Sequence, residues 1–261
     1  SLTTEWNDSD NQDGSRPEKT TVQLTANGQL TGDPVELNAD NNWTYEWKQL
    51  LAEDEEGTNI VYRVTADAPE EYTAKVTGSA DDGFVVTYTH EIAKTSVTAS
   101  VTWDDADDKD GIRPTDTLVQ LYADGTALGD KAVIESNKEW TKTWSNLPKY
   151  KAGKEIAYNM IAYAVSGYTV KVTGNVLEGY KAEYTHNVQK MNVTVQNAWN
   201  DLDNVVDSRP AQLVVEIYAN GKTTGKRVTL TEANNWKATV SGLDRNAAGK
   251  RIQYTGKAVG T

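Results

Sequence analysis

One phrase occurs three times along the chain: WNDSDNQDGSRP from Trp6, WDDADDKDGIRP from Trp103 and WNDLDNVVDSRP from Trp199. The copies lie 97 and 96 residues apart, and a second tryptophan keeps the same step at Trp43, Trp140 and Trp236. A period this regular marks a tandem array of one module. At about 96 residues the unit has the size of a small autonomous domain, whereas solenoid units rarely exceed ~50 residues and cannot fold alone. The 261 residues therefore divide into modules at 1–92, 93–188 and 189–261. The third is incomplete at its C-terminal side, because nothing matching YTVKVTG and YKAEYTH follows YTGKAVGT. The sequence reads as an excerpt of a longer protein.

Strand signals dominate each copy. TTVQLTANG (20–28), TLVQLYADG (117–125) and LVVEIYANG (213–221) alternate apolar and polar residues and stop at Asn-Gly or Asp-Gly, the strongest short hairpin signal. IVYRVTA (60–66), YTAKVTG (72–78) and FVVTYTH (84–90) follow, echoed by IAYNMIA (156–162), YTVKVTG (168–174) and YKAEYTH (180–186). About seven short strands per module predict an all-β fold of sandwich type. Helix is confined to one turn at 52–57. Trp6, Trp43 and Trp47 belong in or beside the core, since large aromatics are mainly packing payload. The joints 91–98 and 187–192 are short and lack glycine and proline, so the modules form an extended string of beads with limited flexing.

Composition removes several function classes. With no cysteine, neither disulfide nor thiolate chemistry is available. A net charge of −12 disfavours nucleic acid and anionic membrane, both of which need a basic surface. No apolar run approaches the ~18–20 residues of a membrane span, and no signal peptide opens the sequence.

The ordered motifs W(N/D)D…QDG.RP, VQL.A(N/D)G, NNWTY.W, YRV, GYT.KVTG and a closing YTH resemble the Cna B-type domain, the repeat module of collagen-adhesin-like surface proteins of Gram-positive bacteria. The resemblance covers the first two modules and most of the third. It implies a tandem array of Ig-like or prealbumin-like seven-stranded β-sandwich modules in a cell-wall-anchored extracellular stalk. It also implies that any collagen binding belongs to a region absent from this sequence. Many family members carry an isopeptide bond between a first-strand lysine and a last-strand asparagine, assisted by a buried glutamate. The lysine positions here are Thr4, Val101 and Asn197, the glutamate positions Ala66, Ala162 and Ala258, and the asparagine positions Tyr88 and Tyr184. None carries the required group, so the modules are expected to be ordinary non-covalent sandwiches.

Two constellations remain. Asp8, Asp10 and Asp13 before Gly14, repeated as Asp105, Asp107 and Asp110 before Gly111, resemble the first half of a calcium loop. The bidentate acid that closes an EF-hand loop is missing, and the third copy breaks the spacing with Val205-Val206. The other reading is an Asx-rich turn bonding its own backbone. His90 and His186 sit at the same module position, as exposed or interfacial residues at the joints. No phosphate loop or nucleophile set accompanies them, so no enzyme and no cofactor are expected beyond the calcium reading. The expected role is a stalk segment spacing a distal binding domain from the cell wall, with neighbouring repeats as its partners. The alternative is that the modules themselves bind a host extracellular-matrix protein or glycan.

Overall fold

The computed structural model describes residues 1–260. They are almost entirely β-strand and turn, with single 3-10 turns at Ser136–Lys138, Leu202–Asn204 and Glu232–Asn234. Among the described residues no helix is long and apolar enough to cross a membrane. The chain forms two compact units. One holds Ser1–Val97 with Ala123–Thr126 and Thr143–Tyr158; the other holds Thr98–Tyr122, Ala127–Lys142 and the chain from Asn159 on.

In the first unit, the first copy builds two facing sheets. Leu2–Asn7 runs parallel to Gly83–Thr89, with Leu2 opposite Phe84 and Trp6 opposite Tyr88. Thr73–Ser79 pairs antiparallel on the far side of Gly83–Thr89, and Thr44–Tyr45 caps the near edge of Leu2–Asn7. The second sheet centres on Lys19–Ala26, with Val35–Asn38 and Gln29–Leu30 on one edge and Tyr62–Ala66 on the other. The two-residue alternation sends Leu2, Val22, Leu24, Leu37, Val86 and Tyr88 into one core, each at most 2% exposed, as a period of two requires when one face of each sheet is buried. Trp6, Trp43 and Trp47 pack against that core. Trp6 stacks on Tyr88 at 4.8 Å between ring centres and meets Trp43 edge-on at 5.0 Å. The expected helical turn at 52–57 is a turn between extended segments instead, bridged by Glu53 and Asn59. The local helix preference of this short acidic run could not outweigh pairing that holds both flanks extended.

The second unit repeats the pattern. Ala99–Asp104 runs parallel to Tyr180–Thr185, Thr169–Asn175 pairs Gly179–Thr185, and Asp116–Ala123 pairs Ala132–Glu135. In the third copy Leu213–Ala219 lies between Lys222–Leu230 and Tyr254–Gly260. Its facing sheet has two strands, Lys190–Gln196 and Lys237–Asp244, where the first copy has four. An open trough of about 400 Å³ remains, lined by Val193, Val195, Leu213, Val215, Leu230 and Ala258 among others.

Candidate functional site

The repeated acidic loop is the most ordered polar structure in each copy. Ser9, Asp10 and Asn11 all have φ between 52° and 59°, and Ala106, Asp107 and Asp108 between 52° and 59°. Three consecutive non-glycine residues in the left-handed region are costly and persist only where the surroundings fix them. The anchor is the first aspartate. Asp8 accepts both Arg16 Nε at 2.9 Å and Nη2 at 2.7 Å, the Tyr72 hydroxyl at 2.9 Å and the Asn11 amide at 3.0 Å. Asp105 repeats the set with Arg113, Tyr168 at 2.7 Å and the Asp108 amide at 2.9 Å. Asn11 and Asp108 in turn accept the backbone N–H of Arg16 and Arg113, each at 2.9 Å. The guanidinium of Arg16 also lies 5.0 Å from the Trp6 ring centre. The Trp-x-Asp and Arg-Pro ends of the motif are thus one cluster, and the Arg16 guanidinium holds the Asp8 carboxyl down at about 2 against the opposing effect of burial. In the third copy Asp201 keeps the bidentate arginine, Arg209, at 2.6 Å on both nitrogens.

The other two aspartates of each loop go elsewhere. Asp10 and Asp107 are exposed. Asp13 accepts His90 Nε2 at 2.9 Å and the Ala93 amide at 2.6 Å. Asp110 accepts His186 Nε2 and the Gln189 amide, both at 2.8 Å, and Asn246 Nδ2 at 3.0 Å. Neither histidine is exposed: their side chains are 9% and 11% accessible. The loop backbone continues the contact, with the Gly153 amide donating to the Gln12 carbonyl at 3.0 Å and the Gly249 amide to the Lys109 carbonyl at 3.1 Å. Alongside, Lys149 N–H donates to Ala93 and Arg245 N–H to Gln189, at 2.9 and 3.0 Å.

The three carboxylates of a loop therefore face an arginine, solvent and a histidine. They do not converge, and among the described residues no group of three acidic or histidine side chains is placed to hold a metal ion. With two of its three carboxylates already partnered, each loop would have to surrender ion pairs to bind a cation. Millimolar calcium is expected to shift the melting temperature by no more than about one or two degrees. A rise of many degrees, reversed by chelator, would overturn the Asx-turn reading of the loop.

In the first two copies the positions read as the family's crosslink face the core. Thr4 and Tyr88 sit on the inward face of neighbouring parallel strands, and Ala66 faces them from the second sheet. Val101 and Tyr184 occupy the same places in the second copy, at 4% and 0% exposure. Tyr184 donates its hydroxyl to the Tyr163 carbonyl at 2.7 Å and meets the Thr117 hydroxyl at 2.8 Å. Ala162 ends the strand Tyr158–Ala162. In the third copy Asn197 donates its backbone N–H to the Trp236 carbonyl, and Ala258 lies opposite Val215 on the trough wall. The junction contacts of Gln12, Lys109, Gly153 and Gly249 had no signature within one copy; the replacement of Asp-Gly by Val206-Asp207 in the third loop was the available hint.

The family model described as the Cna protein B-type domain matches residues 1–89, 97–189 and 193–259. The chain belongs to the Cna B-type domain family. It is 34% identical over 251 residues to a collagen adhesin of Staphylococcus aureus, covering 96% of this chain and 20% of that protein. It thus spans about a fifth of the length of that relative. Superposed on the crystal structure of two B repeat units of the collagen binding protein of S. aureus, it gives a TM-score of 0.62 at 34% identity, over 100% of this chain and 68% of the other. A single B repeat unit of the same protein is 36% identical, covering 71% of this chain and 96% of that one with a TM-score of 0.35. The chain is a run of Cna B-type repeats of a collagen-adhesin-like surface protein, and the family is one of structural adhesin repeats, not of enzymes.

Proposed function

We propose that this Cna B-type segment is a repeat stalk of a Gram-positive cell-wall-anchored adhesin, spacing a distal binding domain from the wall without intramolecular isopeptide bonds. The observation that carries this reading is the pair of built junctions, where the Gln12 and Lys109 carbonyls accept the Gly153 and Gly249 amides of the next copy and Asp110 accepts Asn246. Hydrogen-bonded contacts between successive copies suit a load-bearing spacer. Beads on a free tether would not need them. The chemistry of the core supports the non-covalent part. Among the described residues no lysine is buried, so no core amine is available as a nucleophile, and Tyr88 and Tyr184 fill the space at the asparagine positions. Intact-mass spectrometry is expected to return the plain sequence mass. A deficit of one ammonia per module would overturn this.

The rival reading is that the modules bind a host matrix protein or glycan themselves. One observation speaks for it: Leu118, Val133 and Ile161 lie exposed on the outer face of one sheet of the middle copy, at 36%, 48% and 42%. The equivalent residues in the first copy are Thr21, Glu36 and Thr65. A ligand face used by the repeat as such would recur, and this one does not, which favours the spacer. Screening the segment against matrix proteins and a glycan array separates the two. The stalk reading expects no saturable binding, and saturable binding lost on Val133→Glu would replace it with the adhesive one.

A further inference from the structure

We propose that the loop tips Gln12–Gly14 and Lys109–Gly111, together with His90 and His186, are a repeat-docking surface. The partner they accept is a following copy whose hairpin ends in a two-residue turn closed by glycine, and they hold it while the histidine is an imidazolium.

Shape comes first. A Cβ on Gly14 would stand 2.5 Å from the Gly153 Cα, and one on Gly111 would stand 2.4 Å from the Gly249 Cα. Both contacts are backbone against backbone, so no side chain can move aside. The receiving turns are Ala152-Gly153 and Ala248-Gly249, with φ of 49° and 75° and of 48° and 73°. This is the two-residue type I′ geometry that suits a tight hairpin.

Charge follows. The Nδ1 of His90 lies 2.9 Å from the Glu71 carbonyl while its Nε2 faces Asp13. The Nδ1 of His186 lies 2.7 Å from the Gly167 carbonyl while its Nε2 faces Asp110. Each ring therefore meets an oxygen acceptor on both sides. A neutral imidazole has one N–H and would set a lone pair against one of those oxygens; only the doubly protonated ring satisfies both. The surroundings agree. Tyr72 and Tyr168 lie against the rings. Asp105 adds negative potential near His186. Beside that junction, Asp244 takes both Lys109 and Lys190. Burial opposes the charge at both rings, and the carbonyl and carboxylate outweigh it, raising both histidines above their ordinary value. A raised histidine contributes stability in full below its unfolded value and loses it as pH rises through the folded one. Asp110, which the His186 ring faces, also accepts Asn246 of the following copy, so the lock is tightest in mildly acidic solution and loosens as pH rises through the raised histidine value.

The same criteria define what cannot dock. The third loop reads Val205-Val206-Asp207 where the others read Gln12-Asp13-Gly14 and Lys109-Asp110-Gly111. It lacks both the carboxylate and the glycine. The first copy's hairpin is one residue longer: the Glu53–Asn59 bridge encloses five residues, whereas Tyr150 and Glu155 enclose four. It also presents Asp54, Glu55 and Glu56 to any acidic loop. The lock is thus built for the order first, second, third.

Since the chain lacks cysteine, two introduced at Thr173 and Lys222 can carry spin labels on the second and third copies of the full chain. Double electron–electron resonance should give a narrow distance distribution at about pH 6 that broadens by about pH 9. Gly111→Ala should broaden it at either pH. So should replacing Asn246–Arg251 with the first copy's Glu53–Asn59 segment, a hairpin already compatible with this fold. Gly125→Ala is the control: its φ is 78° with open space around it, so it carries the same backbone strain without the close approach. A nitrogen NMR pH titration of His186 should find the second ring proton held to a higher pH in the folded chain than in the unfolded one. Distributions for Gly111→Ala or the hairpin graft as narrow as the parent's, or a His186 ring that loses that proton no later than in the unfolded chain, would overturn the proposal.

Discussion

Replacing Asp105 by alanine is expected to destabilise the middle copy by about 3–5 kcal/mol, the range for removing one member of a buried ion pair. The carboxylate is 1% exposed as a side chain, while Arg113 is 23% exposed. Water can therefore reach part of the stranded guanidinium, which places the effect toward the lower end of that range. The loss is more than electrostatic, because the same carboxylate also takes Tyr168 and the Asp108 amide and so fixes three left-handed residues. Calorimetric or denaturant unfolding checks this, and a change below about 1 kcal/mol would mean the pair behaves like a surface salt bridge. The same cluster sets the acid limit. Asp8 is held at about 2 by Arg16, below its unfolded value near 3.9. Its contribution is complete above about pH 4 and lost as pH falls toward 2. Asp8→Asn should flatten that part of the pH–stability curve in the first copy.

Truncating Tyr184 to alanine should cost a further class of interaction, about 3–5 kcal/mol for a large aromatic removed from a packed core. The ring is fully buried and stacks on Trp103 at 4.7 Å, so the surrounding sheets cannot collapse into the cavity without moving the tryptophan. Tyr184→Phe isolates the hydroxyl. It leaves the Tyr163 carbonyl and the Thr117 hydroxyl without their partner and should cost about 1–3 kcal/mol. If the phenylalanine variant were as stable as the parent, tyrosine at the family's asparagine position would be a space filler and nothing more. Denaturant unfolding of both variants beside the parent separates the contribution of the ring from that of the hydroxyl.

Much of this molecule is written locally. The period of the tryptophans, the two-residue alternation in TTVQLTANG and its copies, and the Asn-Gly and Asp-Gly turns each depend on residues a few positions apart. Backbone geometry and the hydrophobic pattern decide such features without reference to the rest of the chain. The sandwich class, the packing of Trp6 and Trp43 and the Asx-type loop follow from them. The helical turn read at 52–57 failed for the complementary reason, since a short acidic run has no pattern strong enough to resist extended neighbours that pair with other strands.

The fate of the loop carboxylates was beyond local reading. Asp8, Asp10 and Asp13 are alike in chemistry and spacing, yet they end against Arg16 and Tyr72, in solvent, and against His90. Tyr72 lies 64 positions from Asp8, His90 lies 77 from Asp13, and Asn246 lies 136 from Asp110. A carboxylate's partner at such separations is set by which strands pair and how far one copy is rotated onto the next. The sequence by itself determined the repeated motif, its strands and its core aromatics. Only the tertiary structure decided that the acidic loop is a joint between copies, because only there do a glycine in one copy and a glycine in the next approach closely enough for a single methyl group to part them.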